Sequence, residues 1–232
     1  MKKILIFIFL LIIISVVAFI NYTKLLSKRA FPQNIATTPK QMADQFKNSP
    51  ALSTLATNLN VPWSISFLPD GNLLLTERPG TVRLVSASGD ASKPIANIKV
   101  NSVGEGGLLG SALSPNFKDN NNVFLYYTYG QSGNVTLNRV VKYKFEDNNL
   151  IQEEIIVDKI PGASNHDGGR IKFGPDGFLY ITAGDGEEPS RAQNRDSLAG
   201  KILRVTENGD PAPNNPFGTK IYSYGHRNPQ LN

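Results

Sequence analysis

A Pro-Asp-Gly turn set between two short apolar runs occurs twice, at Pro69-Asp70-Gly71 and Pro175-Asp176-Gly177, 106 residues apart. The first copy runs Val61-Pro62-Trp63-Ser64-Ile65-Ser66-Phe67, turn, Asn72-Leu73-Leu74-Leu75-Thr76-Glu77, then Arg78-Pro79-Gly80 and Thr81-Val82-Arg83-Leu84-Val85. Proline presets φ and glycine supplies a positive φ, so each turn is tight and predicts strand, turn, strand. The second copy repeats the grammar at Ile171–Phe173, Gly174–Gly177, Phe178–Thr182 and Gly200–Val205. Between them Gly110–Phe117 and Val123–Tyr129 form a variant copy, with Asn138–Phe145 as its outer strand. Two units of about 50 residues in that interval match a propeller blade of four strands. A β-sandwich also builds many short strands, but a recurring turn at blade-like spacing favours an all-β propeller.

The chain has 232 residues, and about 200 of them lie outside an N-terminal leader, enough for about four blades. The last segment, Ile221–Asn232, reads as a strand that has just ended in a loop, so a truncated ring with further blades beyond Asn232 is expected. At the other end, Met1-Lys2-Lys3 precedes an apolar run from Ile4 to Ile20 broken only by Ser15. That pattern predicts a signal-anchor or signal peptide over 1–21, followed by a linker over 22–54 with one short helix near Lys40–Phe46. The body at 55–232 is expected to be exported, periplasmic or at the cell surface, and held at the membrane by that segment. The net charge of +5 belongs to the leader, because Lys2, Lys3, Lys24, Lys28 and Arg29 lie there without an acid. The balanced body offers no case for nucleic-acid binding. With no cysteine there is no disulfide framework, thiolate metal site or thiol nucleophile.

One of only two histidines sits in Ser164-Asn165-His166-Asp167-Gly168-Gly169-Arg170, a small and polar loop feeding the second Pro-Asp-Gly unit. Two antiparallel strands there bring their polar ends, with His166 at one and Asp185 at the other, to a common rim. A histidine so placed works as a base near neutral pH; a turn histidine bonded to its own backbone is the plainer alternative.

Four segments in order, Val61-Pro62-Trp63 through Thr76-Glu77-Arg78-Pro79-Gly80, Gly104-Glu105-Gly106-Gly107-Leu108-Leu109-Gly110, His166-Asp167-Gly168-Gly169-Arg170 and Gly225-His226-Arg227-Asn228-Pro229-Gln230, resemble the soluble quinoprotein sugar dehydrogenases, the glucose/sorbosone dehydrogenase family. The resemblance implies a six-bladed propeller, seen here in its N-terminal portion. It also implies pyrroloquinoline quinone (PQQ) and calcium at the channel mouth, and oxidation of the anomeric hydroxyl of aldoses to lactones with an external electron acceptor. By the same resemblance His166 is the general base and Arg227 polarises the quinone carbonyl. Asn228 is a cofactor contact and Gln230 belongs to the same motif, while Glu105 and Asp185 lie on the sugar side with His166. The calcium ligands are not identified by these motifs, and a homodimer is compatible with them.

Two other functions compete: a calcium-dependent sugar lactonase, which would need a ring of acidic and amide ligands, and an exported propeller that only binds. The motifs quoted form no such ring, and His166 with Arg227 speaks against the purely binding form. A half-built ring holding a tricarboxylate through one arginine and one asparagine is expected to be inactive, or unfolded, by itself.

Overall fold

A computed structural model describes residues 54–91, 94–131 and 135–230. The expected leader, linker and short helix lie outside the described residues. Among the described residues no helix is long and apolar enough to cross a membrane.

The strands form three antiparallel four-stranded sheets, each built in chain order. The first contains β1 (Pro62–Phe67), β2 (Leu73–Glu77), β3 (Thr81–Val85) and β4 (Ala96–Asn97). The second contains β5 (Leu108–Leu113), β6 (Asn122–Gln131), β7 (Val135–Glu146) and β8 (Asn149–Pro161). The third contains β9 (Ile171–Phe173), β10 (Leu179–Ala183), β11 (Lys201–Val205) and β12 (Ile221–Tyr224). Both Pro-Asp-Gly turns join the first strand of a sheet to the second, as their spacing implies. Gly71 and Gly177 take φ of 87° and 79°, and in each turn the glycine N–H closes back on a carbonyl three residues earlier. In the middle sheet that turn is replaced by a one-turn helix, α1 (Phe117–Asn120).

The expectation of a partial propeller of all-β type holds, but the blade count is corrected from about four to three among the described residues. The middle sheet consumes the difference. Its strands β6, β7 and β8 run to 10, 12 and 13 residues, and β8 is a fourth strand outside β7, the strand expected to be outermost. β8 is hard to read because Glu153, Glu154, Asp158 and Lys159 interrupt its apolar run and three register shifts break its alternation against β7.

The middle sheet also explains the unbroken apolar stretch of β6. Phe124 and Tyr126 pack into a core shared with β9, β10 and β11. Val123, Leu125 and Tyr127 pack into one shared with β2 and β3. Successive side chains on a strand point to opposite faces, so a sheet buried on both faces needs apolar residues at every position. Each fully buried side chain of this size contributes roughly 1.5–3 kcal/mol.

Side chains at the inner strands tie the sheets together. The Thr76 hydroxyl donates to Leu109 O at 2.7 Å, and the Ser66 and Ser111 hydroxyls meet at 2.8 Å. Arg170 lays its guanidinium 3.9 Å from the Trp63 ring centroid and donates to Trp63 O at 3.1 Å, joining the third sheet to the first.

Candidate active site

Three loops at one rim of the sheets build the site: Val103–Gly107 before β5, Gly162–Arg170 between β8 and β9, and Gly225–Gln230 after β12. A fourth, the acidic turn at Asp185–Glu188, follows β10 and leads into α2 (Pro189–Gln193). Glu105, His166, Asp185 and Arg227 line one open cavity of about 760 Å³ together with Asn165, Glu187 and His226. Four of the six residues singled out in the sequence therefore share one wall, although up to 122 positions separate them.

His166 and Asp185 form a dyad. The His166 Nδ1 lies 2.8 Å from Asp185 Oδ1. A carboxylate can only accept, so the proton of a neutral ring sits on Nδ1 and Nε2 is left as the basic nitrogen. Asp185 is buried, its Oδ1 also accepts the Glu187 N–H at 3.0 Å, and its own N–H donates to Arg227 O at 2.8 Å. The antiparallel pairing of β9 with β10 sets the two partners at one end of the hairpin.

The His166 backbone is left-handed, with φ 62°, a conformation that costs roughly 1–2 kcal/mol outside glycine. Neighbours hold it there. The His166 N–H donates to Glu105 Oε2 at 2.8 Å, and His166 O accepts the Gly186 N–H at 3.2 Å. A side chain at position 184 would force the backbone to shift, because a Cβ on Gly184 would lie 1.8 Å from His166 O.

Glu105 is the hinge point of the loops. Its Oε2 also accepts from Asn228 Nδ2 at 3.1 Å, while its backbone N–H donates to Ser164 O at 2.8 Å. Asn228 Oδ1 accepts the Gly168 N–H at 3.0 Å, and Gln230 Nε2 donates to Gly168 O at 3.1 Å. Both amides are thus committed to the wall that carries the dyad, and neither lines the cavity. Arg227 differs: it lines the cavity and its side chain makes no ion pair among the described residues. Glu187 accepts from Asn165 Nδ2 at 3.0 Å, and that hydrogen bond holds its carboxyl below the usual range.

Sequence reasoning missed the support behind His166. The Asp167 side chain is 1% exposed and accepts from Asn138 Nδ2 at 2.9 Å. The Thr128 hydroxyl fixes Asn138 from the other side at 2.7 Å, and the Tyr126 hydroxyl donates to Asp167 O at 2.7 Å. An asparagine among the buried positions of β7, which are otherwise Val140, Val141 and Tyr143, was the available signal. Lys201 was missed as well. Its buried ammonium donates to the carbonyls of Arg191, Ala192 and Ala199 at 2.8, 3.1 and 2.6 Å, fixing the end of α2 against the cavity.

Three carboxylates, Glu105, Asp185 and Glu187, line the cavity with two histidines and Arg227, so among these residues Arg227 is the one that could hold an anionic end of a quinone cofactor. Calcium finds no comparable set: among the described residues no group of three or more acidic or histidine side chains could hold a metal.

The chain is 32% identical over 191 residues to the aldose sugar dehydrogenase YliI of Escherichia coli strain K12, covering 77% of this chain and 52% of that protein. It is 27% identical to the quinoprotein glucose dehydrogenase B of Acinetobacter calcoaceticus, covering 94% and 52%. The PQQ-bound aldose sugar dehydrogenase of Streptomyces coelicolor superposes with a TM-score of 0.71 at 41% identity, covering 76% of this chain and 54% of that one. The chain spans about half the length of these relatives. The family model for glucose/sorbosone dehydrogenase matches residues 59–231, so the chain belongs to the glucose/sorbosone dehydrogenase family.

Proposed function

We propose that this chain supplies the base and the arginine of a PQQ-dependent aldose dehydrogenase that oxidises the anomeric hydroxyl to a lactone. The observation that carries the reading is a His166–Asp185 dyad sharing one cavity with an uncommitted Arg227. When bound, PQQ would supply the hydride-accepting chemistry, and Arg227 would hold it through the guanidinium. His166 Nε2 takes the hydroxyl proton, and Asp185 stabilises the imidazolium that forms. Glu105 keeps the His166 backbone in its left-handed turn and leaves its second carboxylate oxygen for a sugar hydroxyl. Asn228 and Gln230 act indirectly, by holding the Gly168 peptide and hence the loop. Calcium is kept only as an added component of the assay, and an external acceptor takes the electrons. Export and membrane attachment belong to the same proposal and rest on the apolar run Ile4–Ile20 alone.

Because the relatives are about twice as long, the test uses the product of the whole reading frame, supplied with PQQ, calcium, an aldose and a dye acceptor. His166→Gln is expected to slow dye reduction by about 10²–10⁴-fold while quinone binding changes little. Turnover unchanged in that variant, or dye reduction that needs no quinone, overturns the reading.

A further inference from the structure

The loop that carries Glu105 is gripped from two sides. On one side Gly104 has φ 59°, and a Cβ there would lie 1.9 Å from Ser164 O. On the other Gly107 has φ 138°, and a Cβ would lie 2.3 Å from Arg78 O and 2.6 Å from Arg78 Cγ. Only glycine lets two backbones come this close. Arg78, the residue after β2, therefore packs directly against the loop. Its guanidinium Nη1 donates to Gly104 O, and its carbonyl accepts the Leu108 N–H at 2.8 Å. Its own N–H donates to Val61 O at 3.0 Å, which anchors the grip in the first sheet.

Arg78 is an unusual arginine for so modest a partner. Its Nε is buried without a hydrogen-bond partner, and no carboxylate pairs with it among the described residues. A guanidinium so placed has lost water without gaining a counter-ion. What it holds is the peptide that joins Gly104 to Glu105. Arg78 fixes the oxygen of that peptide, while the Glu105 N–H donates to Ser164 O at 2.8 Å. A peptide held at both its oxygen and its N–H cannot rotate, and the side chain that follows it is aimed. That side chain ends on the His166 N–H, 2.8 Å from Glu105 Oε2.

We propose that Arg78 is a positioning residue for the base: by fixing the peptide before Glu105 it aims the carboxylate at His166 and keeps the left-handed turn that presents the imidazole. Arg78 does not line the cavity, and neither does any residue of the four strands of the first sheet. It acts through Glu105, and it gives the first sheet a route into the site. The catalytic consequence rests on the reading of His166 as the base.

The experiment uses the product of the whole reading frame without cofactor, as native protein, Arg78→Met, Arg78→Lys, Glu105→Ala and the Arg78→Met, Glu105→Ala double variant. Hydrogen exchange of the His166 amide is followed by NMR against that of Gly169, whose N–H donates to Thr182 O at 2.9 Å. Arg78→Met is expected to speed exchange at His166 about tenfold relative to Gly169. Glu105→Ala is expected to do at least as much, and the double variant no more than Glu105→Ala alone. Arg78→Lys keeps a donor for Gly104 O, so its loss is expected to be smaller and still confined to His166. With PQQ, calcium, an aldose and a dye acceptor, Arg78→Met is expected to lower kcat roughly tenfold, with partial rescue in Arg78→Lys.

Equal loss of protection at His166 and Gly169 would make Arg78 a general tie between sheets and overturn the proposal. Losses that add in the double variant, or an unchanged kcat in Arg78→Met, overturn it as well. If Arg78→Met does not fold, Arg78→Lys decides by the same comparison: loss confined to His166 supports the proposal, and equal or no loss overturns it. If exchange behaves as expected while His166→Gln retains turnover, the base assignment fails and the positioning of His166 by Arg78 stands. If His166→Gln loses turnover while exchange at His166 is native in Arg78→Met, only the proposal for Arg78 fails.

Discussion

A single imidazole nitrogen carries the chemistry proposed for this chain, and most of the surrounding hydrogen bonds serve to present it. Asp185 accepts from Nδ1, so the tautomer is set by an acceptor-only neighbour. Asp185→Asn reverses that: an amide can donate to Nδ1 and leave the proton on Nε2, where it blocks the base. Turnover in steady-state dye assays is expected to fall on the order of 10²–10⁴-fold with KM little altered. A loss confined to KM would mean that Asp185 only binds sugar. At this scale His166 stood out as a histidine in a small polar loop, and Asp185, Glu105 and Arg227 through motifs that resemble the family's. Asn228 and Gln230 were legible as members of the motif. Their engagement with Gly168 and Glu105 was not, because it depends on loops brought together from distant parts of the chain.

At the scale of elements the site is a set of turns that only small residues can make. Gly168 has φ 68°, and a Cβ there would lie 2.6 Å from Thr182 O; Gly184 is tighter still against His166 O. Gly184→Ala must displace the His166 carbonyl or the strand end of β10. A loss of about 1–3 kcal/mol is expected, read as a lower urea midpoint at unchanged slope. An unchanged midpoint would show that the close approach is not a constraint on the fold. The strands themselves were readable from turn chemistry and alternation, except β8. There the acidic residues and shifted register hide a strand that only its pairing with β7 reveals.

Across the whole molecule the sheets are joined by few but specific ties, and Arg170 is one that a single probe can follow. Trp63 is the only tryptophan of the 232 residues, and Arg170 both covers its ring and bonds its carbonyl. Arg170→Met is expected to cost about 1–3 kcal/mol and to shift Trp63 emission to the red; a variant with native emission and midpoint would remove Arg170 from the list of ties. The inner strand β1 leaves Ile65 and Phe67 53% and 76% exposed. With that apolar face open and Arg227 as the one arginine lining the cavity among the described residues, the 232-residue chain by itself is expected not to reduce dye in the presence of PQQ, calcium and aldose. Robust reduction would refute that expectation.

Local chemistry was enough for the sequence to determine the all-β character and the tight Pro-Asp-Gly turns, while the proposed base and arginine were pointed to by motifs that resemble the family's. Turn residues act through their own φ and hydrogen bonds, and strand faces through a period of two, so neither needs distant information. What only the tertiary structure decided was non-local. It set three sheets among the described residues in place of about four, made Glu105 the clamp between loops 61 and 123 residues apart in sequence, and buried the Asp167 carboxyl against Asn138. Burial and partnership depend on which surfaces meet, and a carboxyl next to a histidine reads the same in sequence whether it faces water or a core.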